Sequence, residues 1–272
     1  MSLESLSFPA LGTTCHVFGL DCGAAPLANA AAWVGTLQLR LTRFDADSEL
    51  SHLNSSAGPW VPVSSDLEAL LREALRAHRV SGGLVHAGIL NVLLAAGYTR
   101  TFRLGPTPST LETAEFQGLP PLPEILEVSL GRARLRPGFG IDLGGIAKGW
   151  MADRLAEQIG ENCLANLGGD LFARGGGPDG KGWPVGFGGT TVLLRDQGAA
   201  TSGTRGRSWG DGLHHLIDPR TGRPSESNLA EVSVVAASAA DAEVFAKTAL
   251  LLGRASAGFF LEHSSPGWWL SS

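Results

Sequence analysis

The chain has 272 residues, 43% hydrophobic and 17% charged, enough apolar surface for one large globular domain or two tightly packed lobes. No run of about 18 apolar residues is present, so no membrane span is expected. A net charge of −5 without a basic tract argues against nucleic acid as the main partner.

The opening residues, MSLESLSFPALGTT, lack a basic n-region and an apolar h-region, so no secretory signal is read and a cytoplasmic location is expected. Cys15, Cys22 and Cys163 are too scattered for a disulfide framework or a metal knuckle; buried free thiols are expected. Residues 12–20 alternate like a strand, and 26–43 read as a helix with Trp33, Leu37 and Leu41 on one side. The polar segment TRFDADSELSHLN (42–54) follows, with an aromatic at Phe44; in itself it reads as a loop into a short helix. A second helix starts at Ser65, where SDLE (65–68) has the form of a capping box and Leu67, Leu70, Leu71, Ala74 and Leu75 form an apolar stripe. Residues 103–124 are Pro-rich and irregular, a candidate surface loop or lobe boundary. A hairpin is expected over 125–136 through Gly131.

The segment GIDLGGIAKG (140–149) puts an acid, a glycine pair and a lysine at the entry of a helix over 147–159. Ala147, Met151, Leu155 and Ile159 give that helix its spacing, and Gly160 stops it. Helix-entry amides, the helix dipole and Lys148 favour an anion, and a phosphate-bearing ligand is the natural guess; a tight strand-to-helix turn with a surface lysine is the bland alternative. It is not a P-loop, because the G-x-x-x-x-G-K-[ST] spacing is absent. Strands are expected at 163–174, 182–188, 190–196, 213–218 and 231–237, and a last helix over 239–252 between Ser238 as cap and Gly253 as stop. Clustered strands with interspersed helices indicate α+β rather than regular βαβ.

Three further segments are candidates for chemistry. NLGGD (166–170) reads as a glycine turn, more often a bulge than a site. ATSG (200–203) joins two strands. HHLIDPRTG (214–222) carries His214 and His215, which face opposite ways in a strand, with Asp218 beside them for acid–base work. A Ser202–His215–Asp218 hydrolase carries little weight, since the G-x-S-x-G elbow is missing.

In this order and spacing, the segments FPALGT (8–13), DLGGIAKG (142–149) with Asp153 behind it, NLGGD, ATSG and HLIDPRTG (215–222) resemble the ApbE family of FAD:protein FMN transferases. The resemblance covers nearly the whole chain and implies a single α+β, T-fold-like domain over 1–272, with two lobes around an FAD cleft. It implies transfer of the FMN phosphoryl group from FAD to a threonine hydroxyl of a target flavoprotein, with release of AMP and commonly with Mg²⁺. His215 matches the general base, Asp142 and Lys148 the FAD-contacting acid and lysine, and the Gly145 carbonyl a metal ligand. Phe44 falls near the flavin, and Leu11 where a methionine lies. Leu84, Val85, His86, Thr201, Ser202, Gly203 and Ile217 fall on segments that line the cofactor. Family members are often exported.

The chain departs from the family at two places. The last-helix Asp and Thr that complete the metal site are Glu243 and Lys247 here. Glutamate is still a hard oxygen donor, but a protonated lysine cannot ligate and repels Mg²⁺. Glu243–Lys247 is then an ordinary (i, i+4) pair worth about 0.2–0.5 kcal/mol, or Lys247 takes the metal's place at the pyrophosphate, or the cation sits elsewhere with Asp241. The second reading is the working hypothesis, with Lys247 in a catalytic role. In SGGLVHAG (81–88), Val85 and His86 replace a Phe-Asp pair; His86 is a candidate to stack on adenine, to donate to phosphate, or to face water. A non-catalytic FAD-binding relative that has lost the metal site is the alternative function.

Overall fold

Period-two alternation builds the largest element, a seven-stranded sheet. Its strands are Leu3–Ala10, Thr13–Leu20, Cys163–Leu167, Leu171–Arg174, Gln197–Gly203, Glu231–Ala236 and Gly267–Ser271, adjacent in chain order and antiparallel at every pairing. The structure, a computed structural model, describes residues 2–56, 58–111, 118–187, 189–210 and 212–272. The chain divides into two compact units. The first holds this sheet and comprises Met1–Gln38, Ile146–Gly203 and Ser227–Ser272; the second comprises Leu39–Gly145 and Thr204–Glu226.

In the first unit the strand pleat sorts side chains between two layers. Cys163 points toward the helix Ala147–Ile159, its thiol on the Ala156 carbonyl at 3.3 Å. Its neighbour Leu164 points the other way, into a cluster with Leu171, Ala173, Trp183, Phe187 and Leu194. That cluster is closed by the hairpin Trp183–Phe187/Thr190–Leu194. The helix Ala147–Ile159 packs on the strands 163–167 and 171–174, and the helix Ala239–Leu252 on 197–203 and 231–236. Cys15 and Cys163 are buried free thiols, as expected, while Cys22 is half-buried.

The two helices cap each other. Ile146 gives the first helix no side-chain cap, and Glu243 of the second helix accepts the Gly149 amide at 2.9 Å. In return, Asp153 of the first helix accepts the Ala239 and Ala240 amides of the second at 2.6 and 3.1 Å. Ser238 adds the predicted cap, accepting the Asp241 amide, and Gly253 ends the helix at φ 73°.

In the second unit the hairpin Leu126–Ser129/Arg132–Leu135 forms as predicted and pairs with Val61–Pro62. The helix Ser65–Val80 buries Leu67, Leu70, Leu71, Ala74 and Ala77. Its cap is Ser64, one residue earlier than the capping-box pattern placed it. Glu68 therefore misses the box and accepts the Gly131 amide at 2.7 Å. The glutamate half of the box comes from Glu49, which accepts from Ser64 N at 2.5 Å and from Ser64 Oγ at 2.8 Å.

Several boundaries moved. Residues 163–174 are a hairpin, and Gly168 and Gly169 turn it at φ 75° and 101° rather than bulging one strand. Residues 213–218 are two short strands, 213–214 and 217–218, in separate ladders. The strands Leu3–Ala10 and Gly267–Ser271 and the helix Arg254–Ser264 were not anticipated. Of the irregular 103–124 stretch, residues 112–117 lie outside the described residues, as does residue 188 of the predicted 182–188 strand. No helix among the described residues is long and apolar enough to cross a membrane.

Gly149 marks the closest approach of the two capped helices: a Cβ there would lie 2.5 Å from the Ala239 oxygen and 2.7 Å from its carbonyl carbon. Backbone cannot yield as a side chain can, so Gly149→Ala is expected to cost about 1–3 kcal/mol. A drop in the urea midpoint at unchanged slope would register it, and an unshifted midpoint would refute it.

Candidate active site

In the first unit, Lys148, Asp170 and Lys247 lie close enough to Glu243 to act on its charge. Lys148, in the first turn of its helix, forms an ion pair with Asp170, whose side chain is only 2% exposed at the end of the glycine turn. Glu243 is 3% exposed, and Lys247 follows it by one helical turn. Burial, then the neighbouring Asp170, push the Glu243 carboxyl up to about 7, while Lys148, Lys247 and the Gly149 amide oppose that rise. Burial likewise raises Asp153 to about 6 against its two amide partners. Thr201, Ser202 and Gly203 end a strand of the same unit. Thr201 Oγ1 bonds Ser233 Oγ across the ladder at 2.8 Å, and Ser202 is buried. Leu11 sits at φ 55° in the two-residue turn with Gly12, its amide donated to the Gln38 side chain.

In the second unit, Asp142 spends both oxygens on the protein. Oδ1 accepts the Gly144 amide at 2.8 Å, shaping the turn to Gly145, and Oδ2 accepts from Arg43 Nε at 2.5 Å. The Arg43 guanidinium lies 4.2 Å from the Phe44 ring centroid and 4.6 Å from that of Tyr98. Tyr98 in turn packs with Phe102, Trp209 and Ile217. Arg43 was not among the sequence candidates; its only signal was a basic residue beside the candidate aromatic.

Hydrogen-bond logic assigns the histidines. His215 Nδ1 faces the Arg207 carbonyl at 3.3 Å, and a carbonyl can only accept. Nδ1 therefore carries a proton, and in the neutral ring the lone pair lies on Nε2. His214, the last residue of the 213–214 strand, is buried, accepts the Leu216 amide on Nδ1, and donates from Nε2 to the Ser225 carbonyl. Asp218 is held by Arg220 through both oxygens, at 2.6–3.1 Å, and serves the 218–222 turn rather than a catalytic triad.

His86 neither faces water nor has a proton to spare for phosphate. It is 6% exposed, its Nδ1 accepts the Gly88 amide, and its Nε2 donates to the Pro120 carbonyl, both at 3.0 Å. Burial pulls it down to about 4, so it stays neutral. With Leu84 it lines a cavity of about 420 Å³ that also borders His78, Arg79, Leu119 and Arg220. Val85 is buried beside it, its amide on Ser81 Oγ.

The residues at the helix entries do not fit a divalent cation. Asp170 is paired with Lys148; Glu243 holds a helix amide and has Lys247 one turn away. No group of three or more His, Cys, Asp or Glu is arranged to hold a metal among the described residues. Mg²⁺ requires a near-octahedral oxygen shell, and two ammonium groups would repel it.

The sequence model of the ApbE family matches residues 11–268. The FAD:protein FMN transferase of Haemophilus influenzae is 28% identical over 92% of this chain and 80% of its own length. That of Salmonella typhimurium is 32% identical over 78% and 67%. Among solved structures, the apo flavinyl transferase ApbE of Pseudomonas stutzeri superimposes with a TM-score of 0.83 at 21% identity, covering 100% of this chain and 95% of that one. The ApbE protein of Thermotoga maritima gives 0.85 at 22%, covering 99% and 94%. The chain belongs to the ApbE family.

Because the Glu243 carboxyl is raised from 4.5 to about 7, its contribution to stability is complete below the unfolded value and is lost as the pH rises through about 7. Wild type should therefore lose stability relative to Glu243→Gln between about pH 5 and about pH 8. Urea midpoints of the two proteins across that range test this; a constant difference would contradict it.

Proposed function

We propose that this member of the ApbE family is an FAD:protein FMN transferase that moves the FMN phosphoryl group of FAD to a threonine hydroxyl of a target flavoprotein and releases AMP. The threonine oxygen attacks the FMN-side phosphorus. The bond from that phosphorus to the bridging oxygen breaks, and AMP leaves with that oxygen. Such a transfer needs little covalent help from the protein and depends on positioning and charge neutralisation.

The observation that carries this reading is the His215 tautomer. With Nδ1–H turned to the Arg207 carbonyl, Nε2 is the nitrogen able to take the hydroxyl proton. Lys148 and Lys247 neutralise the pyrophosphate and the departing AMP, the role the family gives in part to a metal. Each ammonium has three donors, so Lys148 can keep Asp170 and still bind a phosphoryl oxygen. Asp142 acts through the 142–145 turn and through Arg43 rather than by direct contact. Phe44, Ile217, Leu11, Leu84 and Val85 supply apolar surface to the ligand, and Thr201 to Gly203 supply a strand end. The relatives named above carry the same activity in their names.

Intact-mass spectrometry of an acceptor flavoprotein incubated with this chain and FAD tests the assignment, in Mg²⁺ and separately in EDTA. An FMN adduct is expected in both. An adduct confined to Mg²⁺ would overturn the lysine assignment, and FAD binding without any adduct across a panel of acceptors would overturn the transferase reading. His215→Ala should lower the transfer rate by about 10²–10⁴-fold while FAD affinity is kept; an unchanged rate would remove His215 as the base. In EDTA, Lys247→Met should lose at least as much activity as Lys148→Met, and full activity of Lys247→Met would assign Lys247 to a solvated face.

A further inference from the structure

We infer that Arg43 is a flavin-reading residue, donating from Nη2 to a ring carbonyl oxygen of the isoalloxazine. The inference rests on the transferase reading for the identity of the ligand. Arg43 has a side chain only 4% exposed, fixed through Nε to Asp142 at 2.5 Å. Its Nη2 is buried and has no hydrogen-bond partner among the described residues. Buried polar groups are nearly always satisfied, and a charged donor left without an acceptor is the costliest exception. Nη2 is thus a preformed donor awaiting an acceptor that the chain itself does not provide.

Two features name the chemistry of that acceptor. Asp142 already balances the guanidinium charge, so what remains at Nη2 is directional donation rather than an unspent charge, which suits a neutral carbonyl better than a phosphate. The surroundings are aromatic: Phe44 and Tyr98 lie 4.2 and 4.6 Å from the guanidinium carbon, with Trp209 and Phe102 packed on Tyr98. A planar conjugated ring with carbonyls on its edge satisfies both demands. Phe44, 37% exposed, is the one exposed ring of the four, and so the one whose displacement would open Nη2 to a ligand.

The test compares FMN with ADP, the flavin-bearing and adenine-bearing fragments of the substrate, which overlap at one phosphate, by calorimetry on wild type and on Arg43→Lys, which keeps the charge for Asp142 but loses the planar fork. FMN affinity should fall about tenfold or more while ADP affinity holds. Infrared difference spectra of bound FMN should show a ring-carbonyl band that is lower in wild type than in the variant. An equal loss for FMN and ADP, unchanged FMN affinity, or identical carbonyl bands would overturn the assignment. Should Arg43→Lys fail to fold, wild type alone decides: a flavin whose contacted carbonyl is replaced by a thiocarbonyl should bind more weakly than its parent, and equal binding of the 2-thio and 4-thio analogues overturns the proposal. Wild type that binds ADP but no flavin would sink the transferase reading with it, whereas flavin binding that ignores Arg43 would sink the Arg43 assignment only.

Discussion

Two helix N-termini meet in the first unit, and much of the chemistry follows from that. The entries at Gly149 and Ala239 approach so closely that only a glycine fits. Each brings unpaired amides and the positive end of a helix dipole. Left alone, the two ends would repel. They are held together by an exchange of carboxylates, Glu243 to the first helix and Asp153 to the second. Glu243 is buried and Asp153 half-buried, so the exchange works against desolvation, which raises them to about 7 and about 6.

That constraint explains why lysines suit this place. A buried cluster of Asp170 and Glu243 needs compensating charge, and Lys148 and Lys247 provide it from the two capped helices themselves. The same charges make the place poor ground for a divalent cation.

The second unit achieves fixity by a different device, hydrogen bonds between histidine rings and backbone groups. His86 and His214 each accept a backbone amide two residues ahead on Nδ1 and donate from Nε2 to a distant carbonyl. Both are struts, and burial keeps them neutral. His215 has the reverse arrangement, with Nδ1 as donor to the Arg207 carbonyl. The Arg43–Asp142 pair is largely shielded from water as well; its worth lies in fixing the guanidinium plane more than in stability, since desolvating such a pair offsets much of its attraction.

The sequence by itself determined the elements whose signals are local. The helices 147–159 and 239–252 were legible from spacing, from Ser238 and from the glycines at 160 and 253, because capping and stop signals act within a turn. The 126–135 hairpin was legible through Gly131 for the same reason. The ordered motifs pointed to the family without any knowledge of contacts. What the sequence missed is non-local. The strand Leu3–Ala10 carries Pro9, acceptable only because the strand lies at the sheet edge, and Gly267–Ser271 is too short to signal without its partner at 231–235. Ser64 rather than Ser65 became the cap because Glu49, from another helix, completed the box. Tertiary structure alone decided that Asp142 serves Arg43, that His86 is a strut, and that Glu243 caps a helix nearly a hundred residues away. Each of these depends on which donors lie within about 3 Å in space, and distance along the chain carries no information about that.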